Sequence, residues 1–292
     1  MIQPGPGEDG ALFQAVMVGF GIVMGLLILV SSFFYREKCL QQAEGQPGLI
    51  TSLKECFKNR PFVIFEVISF TMIYAQTGLM QGVLYYFEEL DVPGVPLYVA
   101  LAVGIVAGVI LWLSKRDAWG VKRSTRLMTL IFFAGCLVMM LGGRHVITAA
   151  LGFLLFGFGF AGGMYLIPLM NGDVVDWDEH RTSLRREGMY AGVNSFITKP
   201  AISLAQAAFL TITVWFGYDP ELAQGAQSTS AQTGILVGWT LVPGLLLFLC
   251  FVALKWYPLA GPAWETIKQG LAERHARKEA ETLAQMGLEP LE

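Results

Sequence analysis

The feature that most constrains this chain is a set of long stretches without charged residues. Five such stretches contain no Asp, Glu, Lys or Arg, and two more contain one charge each, Glu66 and Lys199. Each stretch is about as long as the roughly 20 residues that a helix needs to cross a bilayer. The sequence therefore predicts an all-α, polytopic membrane protein whose seven spans cover residues 11–35, 61–87, 95–114, 126–143, 146–170, 189–217 and 232–256.

The composition excludes several other classes of protein. Charged residues make up 15% of the chain, whereas soluble domains contain about 25%. A net charge of -3 without a basic patch argues against nucleic-acid binding. The three histidines and four cysteines have no metal-ligand or disulfide spacing. We expect no enzymatic activity, no metal and no cofactor.

The basic residues predict the orientation of the chain. Of the 20 lysines and arginines, 18 follow the first, third, fifth or seventh span, and the other two are Arg144 and Lys199. Basic residues in short loops are retained in the cytoplasm. We therefore expect residues 1–258 to form a domain in the inner cell membrane, with the N-terminus outside and residues 259–292 as a cytoplasmic tail. In that tail Trp264, Ile267 and Leu271 have helical spacing, which fits a helix on the membrane surface or a solvated helix.

Several glycines predict close contacts between helices. The string GFGFAGG places Gly157, Gly159 and Gly162 in the spacing of a dinucleotide-binding motif, but it lies within an uncharged span with no preceding strand. Small residues four apart let membrane helices approach closely. We expect such contacts at these glycines and at the pairs Gly21 and Gly25, Gly104 and Gly108, and Gly159 and Gly163.

The sixth span carries the charge that is most costly in a membrane. Lys199 lies near the middle of the bilayer, where a lysine costs about 2.5–3.5 kcal/mol. Ser195, Ser203 and Gln206 share its helix face, Thr198 borders it, and Pro200 frees a backbone carbonyl inside the membrane. We expect this face to meet protein or water and to handle a solute or an ion. A structural lysine paired with a carboxylate is the alternative.

The second span has a milder polar face. Tyr74, Thr77, Gln81 and Tyr85 follow helical spacing and offer rings, hydroxyls and an amide to a sugar-like solute. Hydrogen bonding between helices is the alternative. Glu66 is expected to reach the inner surface or to pair with a loop arginine.

The connection after the fifth span, NGDVVDWDEHRTSLRREG, alternates acidic and basic residues. Charge pairs at this position can hold an inner gate closed and break when it opens. A solvated loop that sets the topology is the alternative. Besides Asp178, the candidate gate residues are Asp173, Asp176, Glu179, Arg181, Arg185, Arg186 and Glu187.

This connection also carries a family resemblance. It matches the pattern D-x-x-D-x-x-E-x-x-T-x-x-R-x-E-G, and the segment KNRPF precedes a polar span that ends in YYFEE. Both resemble the glycoside-pentoside-hexuronide:cation symporters, the melibiose-carrier branch of the major facilitator superfamily. The resemblance implies that the seven spans correspond to helices 6–12 of a twelve-helix carrier.

That resemblance implies symport of a sugar, glycoside or related solute with sodium or protons by alternating access. It places Lys199 where the family has a lysine near the substrate and cation sites, and Ser195 and Thr198 beside it. The helices that hold the cation in the family are absent, so we expect a missing N-terminal half, a second subunit or a second copy. Ser183 stands where the family usually has glycine, and Pro200 is a second departure. A lysolipid carrier, a membrane scaffold and a seven-helix receptor remain alternatives.

Overall fold

The structure is a computed structural model that describes residues 9–34 and 48–286. The chain divides into two compact units, Met1–Gly45 and Gln46–Glu292. The described part of the first unit is one helix, α1 (Asp9–Phe34), which has no charged residue after its first. It is long enough to cross a bilayer.

The described part of the second unit is built from helices. Among the residues described in both units, six helical segments are long and apolar enough to cross a membrane. The predicted all-α membrane fold is therefore confirmed. The helices of the second unit, in chain order, are α2 (Leu49–Lys58), α3 (Arg60–Glu89), α4 (Gly94–Gly142), α5 (Val146–Thr182), α6 (Glu187–Trp215), α7 (Thr229–Leu236), α8 (Val242–Ala253) and α9 (Pro262–Met286).

The third and fourth predicted spans belong to one helical element. α4 has 49 residues, and a straight helix of that length would measure about 74 Å, more than twice the apolar core of a bilayer. At Gly120 the backbone leaves the helical region, with φ 72° and ψ 160°. Glycine tolerates this conformation because it has no Cβ. The seven predicted spans thus become six elements, one of which is broken at a single residue.

Close contact between α4 and α5 depends on their glycines. A Cβ added at Gly104 would overlap the carbonyl of Leu154, and one at Gly157 would overlap the carbonyl of Leu101. A Cβ at Gly162 would overlap the Met128 side chain of α4, whereas one at Gly163 would overlap Met72 of α3. The expected close packing is confirmed for this pair of helices, and the motif GFGFAGG serves it.

The glycine pair of α1 differs. A Cβ at Gly21 or Gly25 would have no atom within 4 Å among the described residues. The expected tight contact at this pair therefore stays a prediction.

α3 lies at the centre of the second unit, where it contacts α5, α6 and α8. A π-helical turn, Val237–Leu241, joins α7 to α8 and directs Trp239 onto α3. The Trp239 indole donates a hydrogen bond to the Leu79 carbonyl at 3.3 Å, and its ring lies 4.9 Å from that of Tyr86. A Cβ at Gly82 would overlap Trp239. These contacts fix the α7–α8 span against α3.

Candidate functional site

The polar residues of α6 lie on its exposed side. Ser195, Lys199, Ser203 and Gln206 are all exposed, and we call this set the Lys199 face. Within the part of the chain that the structure describes, the Lys199 ammonium makes no hydrogen bond or ion pair. The structure therefore does not supply the carboxylate partner of the alternative interpretation.

The opposite side of α6 packs against the rest of the unit. Ala201 and Ala205 are buried and lie about 200–240° around the helix from Lys199. Thr198 is 8% exposed, and its hydroxyl donates to the Asn194 carbonyl at 2.8 Å. Thr198 thus borders the Lys199 face in sequence but points into the helix contact.

Among the polar residues of α3, Tyr74 lies away from the Lys199 face. Tyr74 is 4% exposed and packs against Ala201 and Ala205 on the far side of α6. Thr77 and Gln81 are half-buried. The buried Gln81 Oε1 has no hydrogen-bond partner among the described residues. The position of Tyr74 fits the alternative of contact between helices.

The expectation for Glu66 is wrong. Its side chain is 5% exposed, so it does not reach the surface. Both carboxylate oxygens are buried without a hydrogen-bond partner among the described residues. One turn further along α3, the Ser69 hydroxyl donates to Asn194 Oδ1 at 3.0 Å. Polar contacts between α3 and α6 therefore lie beside Glu66 but do not include it.

The acidic part of the connection after the fifth span, residues 171–182, which we call the acidic motif, is helical and not a loop as we predicted from the sequence. α5 continues past residue 170 to Thr182, so its carboxylates project from the last turns of one helix. Arg185, which follows the helix, contacts two of them: its Nη1 lies 2.8 Å from Glu179 Oε2 and 3.6 Å from Asp176 Oδ1. The Arg185 Nε also donates to Glu187 at 2.7 Å. One guanidinium therefore links the end of α5 to the start of α6.

Arg186 makes a second link between the same helices. Its Nε and Nη2 donate to the two oxygens of Asp178 at 2.9 and 2.7 Å. These hydrogen bonds raise the pKa of the Arg186 guanidinium, which favours its charged form. Arg181, also predicted in the gate, has no such partner among the described residues.

The C-terminal helix α9 docks on this cluster instead of lying free. Lys268 Nζ is 3.0 Å from Asp173 Oδ1, and Trp264, which is 4% exposed, packs edge-on against Trp177 of α5 at 6.2 Å. His275 Nε2 lies 2.7 Å from Glu179 Oε1. In the described part of the tail, α9 packs against α5, so a free solvated helix does not describe it. A position on the membrane surface stays a prediction.

Sequence reasoning did not identify Lys268 and His275 as partners of the motif. A signal was present, because Trp264, Lys268, Leu271 and His275 follow spacings of four, three and four. Residues with these spacings share one helix face. A tryptophan and a leucine beside two basic side chains predict a face that docks on an acidic surface.

Comparison with known families decides which proteins this chain is related to. A family model described as "MFS/sugar transport protein" matches residues 2–261. The chain belongs to this family. The resemblance that the acidic motif indicated is thereby confirmed, and the MFS sugar transport family accounts for the several membrane-spanning helices.

Two curated relatives show how much of a family member is present. The MFS chain is 28% identical over 278 residues to a protein named isoprimeverose transporter from Lactiplantibacillus pentosus, covering 89% of this chain and 55% of the relative. It is 24% identical to the uncharacterized symporter YnaJ of Bacillus subtilis (strain 168), covering 92% of this chain and 58% of the relative. The chain thus spans somewhat more than half the length of these relatives.

Proposed function

We propose that this chain is the C-terminal part of a sugar or glycoside transporter that uses a sodium or proton gradient and works by alternating access. The observation that carries the proposal is the exposed Lys199 face of α6. A lysine in contact with lipid at mid-membrane costs about 2.5–3.5 kcal/mol. A second bundle that encloses water and solute against this face would remove that cost.

The relatives support both a second bundle of helices and a sugar as the solute. Each is nearly twice as long as the part that this chain matches. The other bundle would come from the same polypeptide, a separate subunit or a second copy. The relatives' names favour a sugar and a symport mechanism, and the relative from Lactiplantibacillus makes isoprimeverose the first solute to test.

The charge pairs between α5 and α6 supply a gate. Arg185 and Arg186 hold the start of α6 to the end of α5, on the side that the basic residues predict to be cytoplasmic. Alternating access requires contacts on one side to break while those on the other form. We propose that these pairs close the cytoplasmic side and that the N-terminus lies outside the cell.

The test is uptake of labelled isoprimeverose by proteoliposomes under an imposed sodium or proton gradient. The chain is reconstituted alone and as the longer product of its own reading frame or the preceding one. We expect gradient-driven accumulation with the longer or two-part form, abolished by Lys199→Ala. Lys115→Ala, which removes an exposed lysine outside the spans, is the matched control.

The results that would overturn the proposal differ from one another. Full solute accumulation by the Lys199→Ala variant would contradict the proposed role of Lys199 in transport. Solute uptake that does not depend on either the sodium or the proton gradient would contradict cation coupling. A lysophospholipid that competes for binding while sugars do not would favour the lysolipid carrier.

A further inference from the structure

A cavity of about 190 Å³ lies where α9 meets the break in α4. Its walls include the turn that follows Gly120, the end of α5 and the start of α9. The ion pairs of the gate lie at Arg185 and Arg186, which do not line it. Asp173 is the one gate candidate in its wall, and the proposed transport function assigns the cavity no role.

Basic side chains outnumber acidic ones in the cavity wall. Four cations, Lys122, Arg123, Arg126 and Lys268, face two carboxylates, Asp173 and Glu265. Asp173 is already paired with Lys268 at 3.0 Å. Among the described residues Arg123 and Arg126 form no salt bridge, although each lies over an aromatic ring. The wall therefore carries positive charge that its own carboxylates do not neutralise.

Two buried donors in the wall lack an acceptor. Arg126 Nε and Trp264 Nε1 are buried without a hydrogen-bond partner among the described residues. The Arg126 guanidinium lies 4.6 Å from the centre of the Phe251 ring, which holds the group in place. A buried donor left without an acceptor is costly, most of all on a charged group. The positive charge of the wall and these two donors without acceptors together point to a negatively charged ligand with several hydrogen-bond acceptors.

The position of the cavity suits a phosphate group at the membrane surface. Residues 115–125 lie between two predicted spans, so we expect them at the level where lipid headgroups begin. Trp119 and Trp264 line the cavity, and tryptophan is enriched at this level. A helical segment starts after Gly120, and the N–H groups of a first helical turn attract anions.

We propose that this cavity binds a phosphate-bearing anion, with Arg126 as its main ligand and Lys122, Arg123 and Trp264 around it. A guanidinium suits phosphate because it donates several hydrogen bonds in a fixed plane. The phosphate comes from the headgroup of an anionic phospholipid or from free phosphate. Basic pockets between helices on the cytoplasmic side of membrane proteins bind lipid headgroups in this way.

The test measures binding to the purified chain in a neutral detergent. Native mass spectrometry and thermal unfolding are recorded with phosphatidylglycerol, with phosphatidylcholine and with inorganic phosphate. We expect phosphatidylglycerol to bind more tightly than phosphatidylcholine and Arg126→Gln to weaken that binding about tenfold, because a charge-assisted hydrogen bond is lost. Arg60→Gln removes an exposed arginine outside this cavity and should leave binding unchanged.

The lipid and free-phosphate sources give different results. Binding of phosphatidylglycerol that excess inorganic phosphate does not displace identifies the lipid headgroup. Binding of inorganic phosphate that Arg126→Gln weakens, without preference between the two lipids, identifies the free anion. If Arg126→Gln fails to fold, the exposed Arg123→Gln takes its place. Equal binding by the wild-type and variant chains in every arm would overturn the proposal.

Discussion

His275 Nε2 lies 2.7 Å from Glu179 Oε1, and the same carboxylate is 2.8 Å from Arg185 Nη1. Glu179 is 3% exposed, whereas the side chains of Arg185 and His275 are half-buried, so both contacts are partly shielded from water. Since Arg185 also reaches Glu187, one acidic residue of α5 joins the C-terminal helix to the start of α6. A movement of α6 would therefore also act on α9.

The pair between Lys268 and Asp173 should stabilise the docked α9. Lys268→Gln leaves Asp173, which is 4% exposed, buried without its cation, so we expect the free energy of unfolding to fall by about 1–3 kcal/mol. Asp173→Asn combined with Lys268→Gln should cost less than the sum of the two single changes. Thermal unfolding in detergent measures all three. Additive effects would show that the two residues do not interact.

Ser183 should be replaceable by glycine with a gain in stability. It ends α5 with φ 58°, in the left-handed region that costs a residue with a Cβ about 1–2 kcal/mol. Ser183→Gly should therefore raise the free energy of unfolding by about 1 kcal/mol. Ser183→Ala, which keeps the Cβ, is the control. A glycine variant no more stable than the alanine variant would contradict this explanation.

Cys56 should resist thiol reagents in the folded chain. Burial, helped by the nearby carboxylates of Asp178 and Glu66, raises the pKa of its thiol to about 12. A raised pKa favours the protonated thiol, so at pH 8 only about one molecule in ten thousand carries the reactive thiolate. Maleimide labelling of a Cys39→Ser chain, located by mass spectrometry, measures the rate at Cys56.

The rate at Cys56 should stay far below that of a free thiol between pH 7 and pH 9. It should rise to the free rate once the chain is unfolded in denaturant. Rapid labelling of folded Cys56 would show that the thiol is neither buried nor protonated.

The contact between α4 and α5 should not tolerate a side chain at Gly104. Because a Cβ there would overlap the Leu154 carbonyl, Gly104→Val forces the helices apart. We expect a loss of about 1–3 kcal/mol or more in unfolding free energy. Gly78→Ala is the control, since a Cβ at Gly78 meets nothing within 4 Å and alanine favours a helix. Equal stability of the two variants would contradict the role of Gly104.

The sequence by itself determined the fold class, the approximate spans and the family. Apolar runs of about 20 residues have the length that a helix needs to span a bilayer. A helix suits such a run because all its backbone hydrogen bonds are formed within the segment. The acidic motif indicated the family because its spacing is local. The four polar positions of the Lys199 face also followed from helical periodicity alone.

Only the tertiary structure decided which polar groups meet. Periodicity gives the angle of a side chain around its helix but not the neighbour on that side. For this reason the sequence did not predict that Tyr74 packs against α6. It also did not predict that the Glu66 carboxylate is buried instead of lying at the edge of the membrane. In the same way, Lys268 and Asp173 are 95 positions apart in the sequence but 3.0 Å apart in space. Packing between helices brought them together, because it buries the apolar side of α9 and fixes where its charges lie.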